Sequence, residues 1–149
     1  MTATRVPRVV VDTNVVLDCW VFDDPAARPL RAALERRDLR AVRSAETDAE
    51  LDAVLARPRF GLDAEPRRRL LQHWQALAEL TSVATAAPVR CADPADQKFL
   101  DLAYAAHAAV LFTKDKALLA TAARARAARL KILPPRAAGS ALLFEDDVA

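Results

Sequence analysis

Short apolar runs rich in β-branched residues alternate with helix-patterned segments along the whole chain, and no other feature restricts the fold as much. "RVVVD" opens the pattern, three valines ending abruptly at Asp12. A continuous apolar run of this kind reads as a strand covered on both faces, as in a parallel sheet. "PLRAALERRD" reads as a helix with Pro29 near its first turn. "LRAVRS" is a second strand. In "SAETDAELDAVLARPRF", Ser44 is the N-cap, Thr47, Leu51, Val54 and Leu55 follow helical spacing, and Pro58 ends the helix. "AEPRRRLLQHWQALAEL" is the strongest amphipathic helix, with a stripe of Leu70, Trp74 and Leu77. "TSVATA" reads as a third strand. "DPADQKFLDLAYAAHA" starts a helix with Asp93 as N-cap, Pro94 as N1 and Asp96 as N3. "AVLFT" is a fourth strand, "KDKALLATAARARAA" a further helix and "LKIL" a fifth strand. The tail "LLFEDDVA" reads as a short docking segment with a frayed acidic end. Such alternation implies an α/β fold, a parallel sheet with helices on both faces.

The 149 residues suit one domain spanning 1–149, with no linker and no internal repeat. With only Gly61 and Gly139 present, neither a P-loop nor a dinucleotide-binding glycine fingerprint can form. The net charge of +2 permits a nucleic-acid partner without demanding one. The cations are mostly arginine, which suits phosphate, but compositional bias is the stronger reading of them. Cys19 and Cys91 lack metal or disulfide spacing and read as reduced thiols of a cytoplasmic protein. His73 and His107 are isolated and read as helix residues without catalytic work. No signal peptide and no membrane span is expected.

In an open parallel sheet, ligands bind at the C-terminal ends of the strands. Asp12 follows the first strand, and Glu50 lies in the second turn of the helix after the second. Asp93 and Asp96 open the helix after the third, and Asp115 follows the fourth. Each has a plain alternative as a helix cap or a surface residue. Capping gives no reason for all of them to gather at one edge. Clustered carboxylates stay ionised together when a divalent cation neutralises them. Oxygen ligands without His or Cys point to Mg2+ or Mn2+, and to hydrolysis of phosphate esters.

"VVVDTNVVLD", "ETDAELDAVLARPRF", "DPADQKFLDLA" and "AVLFTKDKALL" together resemble the PIN-domain nucleases. The likeness runs from about Arg8 to Pro135 and is strongest to bacterial members assigned as toxins of toxin–antitoxin pairs. The resemblance implies a three-layer α/β/α sandwich with a central parallel, Rossmann-like sheet. It also implies an acidic pocket holding Mg2+ or Mn2+, and cleavage of single-stranded RNA. It makes Asp12, Glu50, Asp96 and Asp115 the catalytic and metal-binding acids. Asn14 then orients Asp12 by a hydrogen bond, Thr113 lines the pocket, and Asp93 is an auxiliary acid or, preferably, a cap. Three positions depart from the pattern: Lys114 where glycine is common, Ala117 where an acid often stands, and Gln97 at a frequently acidic position.

Candidate RNA contacts are Arg40, Arg43 and Lys114, with Arg57, Arg59 and the run Arg67 to Arg69 beside them. Each is equally readable as part of a solvated face. Trp20 and Phe22 are assigned to core packing in preference to base stacking. The Leu70 stripe reads as core or, if partly exposed, as the contact for a homodimer or an antitoxin helix. One rival is a catalytically silent PIN-fold RNA-binding or interaction module, which would be marked by lost acids. Another is a phosphatase of the haloacid dehalogenase type, which needs a second aspartate where Asn14 stands.

Overall fold

The computed structural model describes residues 6–140; the "LLFEDDVA" tail lies outside them. Strand β1 (Arg8–Val11) leads into α1 (Thr13–Trp20) and α2 (Arg28–Glu35). Strand β2 (Arg40–Arg43) is followed by α3 (Ala45–Leu55), α4 (Ala64–Leu77) and β3 (Ala78–Leu80). Then come α5 (Gln97–Ala105), β4 (Val110–Phe112), α6 (Lys116–Leu119), α7 (Ala122–Ala127) and β5 (Lys131–Leu133). The five strands form one all-parallel sheet in the order β3-β2-β1-β4-β5.

Valines of β1 alternate between two cores. Val9 and Val11 pack with α1, α2, α3 and Trp74 on one face. Val10 packs with Phe99, Leu100 and Leu118 of α5 and α6 on the other. The apolar run is thus buried on both sides, and the architecture is the expected α/β sandwich. From β1 the chain winds outward through β2 and β3, then returns to β4 on the other side of β1. Strand order therefore reverses between β1 and β4, and in such sheets the crevice at that point receives ligands.

Local details differ from the pattern reading. The third strand is Ala78–Leu80, directly after α4, and not "TSVATA". Its neighbour β2 ends at Arg43, whose carbonyl takes one further bond from the Thr81 N–H. Beyond that point nothing supports a ladder. The segment after β4 holds two short helices and not one. Buried Thr121 turns its hydroxyl onto the Leu118 carbonyl and interrupts the helical ladder there. Asp93 caps a 3-10 turn over Pro94–Asp96, and α5 proper starts at Gln97. His107 lies past the end of α5 with φ 54°, in the left-handed position glycine usually fills. Phe22 is 55% exposed and stacks on Phe60, with ring centroids 5.9 Å apart, so its assignment to the core is corrected. Trp20 is half-buried against the first core. Trp74 and Leu77 of the α4 stripe are buried, while Leu70 is only partly covered. Among the described residues, no helix is long and apolar enough to cross a membrane.

Helix α3 starts with a reciprocal cap. The Ser44 hydroxyl accepts from the Thr47 N–H at 3.2 Å, and Thr47 Oγ1 accepts from the Ser44 N–H at 2.9 Å. Ser44→Ala is expected to destabilise the protein by about 1 kcal/mol. Thermal denaturation should register this as a melting temperature roughly 2–4 °C lower.

Candidate active site

The reversal between β1 and β4 places two acid-bearing turns side by side. At the end of β1, the Asp12 N–H donates to the Phe112 carbonyl of β4. Asp12 is buried at 5% exposure, and its Oδ2 accepts a 2.7 Å hydrogen bond from the hydroxyl of Thr113, which is fully buried. The same Thr113 oxygen accepts from the Asp115 N–H at 3.0 Å. One hydroxyl therefore holds both the first acid and the loop carrying the fourth. Asn14 was expected to orient Asp12 by a hydrogen bond; its side chain is exposed, and its backbone N–H hydrogen-bonds the Asp12 carboxylate. Its backbone N–H is the weakest of the influences that lower the Asp12 pKa.

Burial raises the Asp12 pKa above the usual carboxylate range. The Thr113 hydrogen bond opposes that rise, and the charges of Glu50 and Asp115 add to it. Asp96 is pushed up to about 7, by burial first, then by the charge and hydrogen bonding of Asp115, then by Asp93 and Asp12. The Asp12, Asp96 and Asp115 carboxylates thus act on one another, and Glu50 and Asp93 act on them as well. Asp96 Oδ2 is buried without any hydrogen-bond partner. Asp115 also caps α6, its Oδ1 accepting from the Ala117 and Leu118 N–H groups. Asp93 accepts from the Ala95 N–H as a cap.

Glu50 is arranged differently from the aspartates. Its Oε2 accepts a 2.5 Å bond from Thr13 Oγ1, and its Oε1 a 2.8 Å bond from Lys98 Nζ. Lys98 also donates to the Ala95 carbonyl. Thr13 and Lys98 were not among the expected site residues. Thr13 stands in the conspicuous "DTN", and Lys98 is the one lysine in the acidic "DPADQKF".

The expected RNA contacts are otherwise engaged. Arg40 starts β2, at the sheet edge opposite the acids, 3.8 Å from Glu79. Arg43 donates to the Ala78 carbonyl and, at 2.5 Å, to Asp48. Lys114 pairs at 2.6 Å with Asp18, whose side chain is buried. Gln97 accepts from the Cys91 N–H and donates to Val89 and Asp101, so it holds the 87–91 loop against α5.

The carboxylates here offer oxygen ligands without His or Cys, a set that suits a hard divalent cation, and Asp96 Oδ2 is a vacant acceptor for one, while Lys98 Nζ already occupies Glu50 Oε1. The fit is not fully drawn up: among the described residues, no three His, Cys, Asp or Glu side chains stand ready to hold a metal ion. Comparison with curated protein sequences finds no match. The family profile described as PIN domain matches residues 8–117, a span that includes β1 to β4 and every acid named above.

Proposed function

Because the chain belongs to the PIN domain family, a family of nucleases in general, we propose that it is a divalent-metal-dependent endoribonuclease. Its substrate in this proposal is single-stranded RNA, cut by phosphodiester hydrolysis. The observation that carries the reading is the meeting of Asp12, Asp96 and Asp115 at the sheet's reversal point, with Asp96 Oδ2 buried and unpartnered. Like charges so placed repel, and a bound cation relieves that repulsion. Asp12, Asp96 and Asp115 would hold Mg2+ or Mn2+, with Glu50 beside them. Such an ion polarises the phosphodiester and makes water a better nucleophile near neutral pH. Thr113 fixes the Asp12 carboxylate and ties the Asp115 loop to it. The proposal extends to the role of toxin in a type II toxin–antitoxin pair, on the strength of the motif resemblance. The partly covered Leu70 of α4 then offers a contact for a cognate antitoxin or a second copy. Two buried free thiols, Cys19 with its pKa pushed up to about 12 by burial, suit a reducing cytoplasm.

One observation favours a second reading. The absence of a ready metal cluster among the described residues is what a catalytically silent RNA-binding module would show. Incubation with labelled single-stranded RNA in Mg2+, Mn2+ or EDTA separates the two. The expected result is cleavage with either metal and none in EDTA. Equal cleavage in EDTA would refute the metal mechanism, and RNA binding without cleavage under every condition would establish the silent module.

A further inference from the structure

Lys98 is a cation drawn onto Glu50 at the acidic edge, and its geometry suits a task other than neutralisation. Its side chain is 19% exposed, and its ammonium is anchored on Glu50 Oε1 at 2.8 Å and on the Ala95 carbonyl at 2.5 Å. An ammonium has three donors, and these two bonds use two of them; the ammonium also stands 5.6 Å from the centroid of the Phe99 ring. Glu50, in turn, has both oxygens engaged, by Thr13 and by Lys98. Asp96 Oδ2 by contrast has no partner. Asp96 thus keeps an oxygen open to a ligand, whereas Glu50 has both oxygens engaged and holds a lysine.

Lys98 also lines a cleft of about 350 Å3 between the start of α3 and the segment after β3. The hydroxyl-bearing Thr81 and Ser82 line the same cleft, as do Leu80 and Val83, which are 60% and 38% exposed. Of its two carboxylates, Asp101 is bonded to the Ala87 N–H and to Gln97, while Glu46 lies in the first turn of α3. The Glu46 charge disfavours a phosphate inside the cleft. Apolar and hydroxyl groups suit a base and its ribose there.

We infer that Thr13, Glu50 and Lys98 form a substrate-anchoring chain: Lys98 binds a phosphate of the RNA strand, and the adjoining nucleotide enters the cleft lined by Thr81, Ser82 and Val83. The inference rests on the nuclease reading and names where the strand lies. Lys98 is the link between the two regions, since it lines the cleft and bonds Glu50. Phosphate contacts of this kind give affinity and register without sequence preference.

The test is equilibrium binding of a short labelled single-stranded RNA in EDTA, across a salt series, with melting temperatures measured alongside. Lys98→Met is expected to weaken binding about tenfold and to flatten the slope of log affinity against log salt by about 0.7. Lys98→Arg should keep both. Ser82→Trp, which fills the cleft, should weaken binding several-fold at an unchanged salt slope. Arg36→Ala, on the far side of the fold, should change neither. A purely structural lysine would shift the melting temperature without changing the salt slope of the folded fraction. If Lys98→Met proves unfolded, Lys98→Gln and Ser82→Trp carry the same comparison. Wild-type affinity and slope in Lys98→Met or Lys98→Gln overturn the anchor, and wild-type affinity in Ser82→Trp overturns the cleft. If the wild type cleaves RNA with metal yet these variants bind normally, only the anchoring chain fails. If the wild type neither binds nor cleaves RNA, the nuclease reading fails with it.

Discussion

Asp12→Asn is expected to lower RNA cleavage at saturating Mg2+ or Mn2+ by about a thousand-fold, roughly 4 kcal/mol of transition-state stabilisation. The fold should survive the change. An asparagine carbonyl can take the 2.7 Å hydrogen bond that Thr113 now donates to Asp12 Oδ2. The backbone work of this position, accepting from the Val15 and Val16 N–H groups, does not depend on the side chain. Only the charge is lost. That charge is held under burial and against Glu50 and Asp115, both of which raise the Asp12 pKa. Removing it should therefore leave thermal stability equal or higher at neutral pH. The measurement is kcat/KM on a labelled oligonucleotide, with melting temperature as the control. An Asp12→Asn protein that melts normally and cleaves within tenfold of wild type would remove Asp12 from the mechanism.

The acids were legible because topology does the placing. Once apolar runs and helices alternate, a parallel sheet follows, and every strand-to-helix turn arrives at one edge. That rule brought out Asp12, Glu50, Asp93, Asp96 and Asp115, and the family resemblance singled out four of them. What holds them was only partly legible: Thr113 was expected to line the pocket, but its bond to Asp12 was not read, and Lys98 was not named at all. Thr113 reaches Asp12 across 101 residues, and Lys98 reaches Glu50 across 48. Such partners depend on strand register and on the rotation of α5, neither of which a local pattern encodes. The same limit hid the partners that the candidate RNA contacts have within the protein. Arg40 and Arg43 are neighbours in sequence, yet β2 sends one to the edge opposite the acids and turns the other onto Asp48. The misplaced third strand has a different cause. Hydrophobic pattern favoured "TSVATA", but ladder bonds stop where β2 stops, at Arg43. Phe22 was drawn toward the core by its apolarity alone, whereas α1 ends at Trp20 and leaves it outside.

Asp96 should show opposite effects in the absence and presence of metal. Its pKa in the fold is about 7, against an ordinary value of 3.8. Between those values the folded protein keeps a proton that the unfolded chain has lost. The linked stabilisation is complete below the lower value and is lost as pH rises through about 7. Asp96 is only partly buried, and solvent screening reduces the linked free energy to about 1–2 kcal/mol. The metal-free wild type should therefore melt progressively lower from pH 4 to pH 8. Asp96→Asn carries no such proton and should melt roughly 3–6 °C above the wild type at pH 8. Metal reverses the order. A divalent cation at about a hundred times its Kd should stabilise the wild type by about 2.7 kcal/mol, or roughly 5–10 °C. The variant should lose most of that gain, because the unpartnered Asp96 oxygen is the acceptor the ion would take. Damage to folding would lower both melting curves together, so a crossing of the two is specific to a cation site. The measurement is differential scanning calorimetry at pH 8 in EDTA and in millimolar Mn2+. An Asp96→Asn protein that melts below the wild type in EDTA, or that keeps the full metal-induced rise, would show that Asp96 is neither strained by its neighbours nor a ligand.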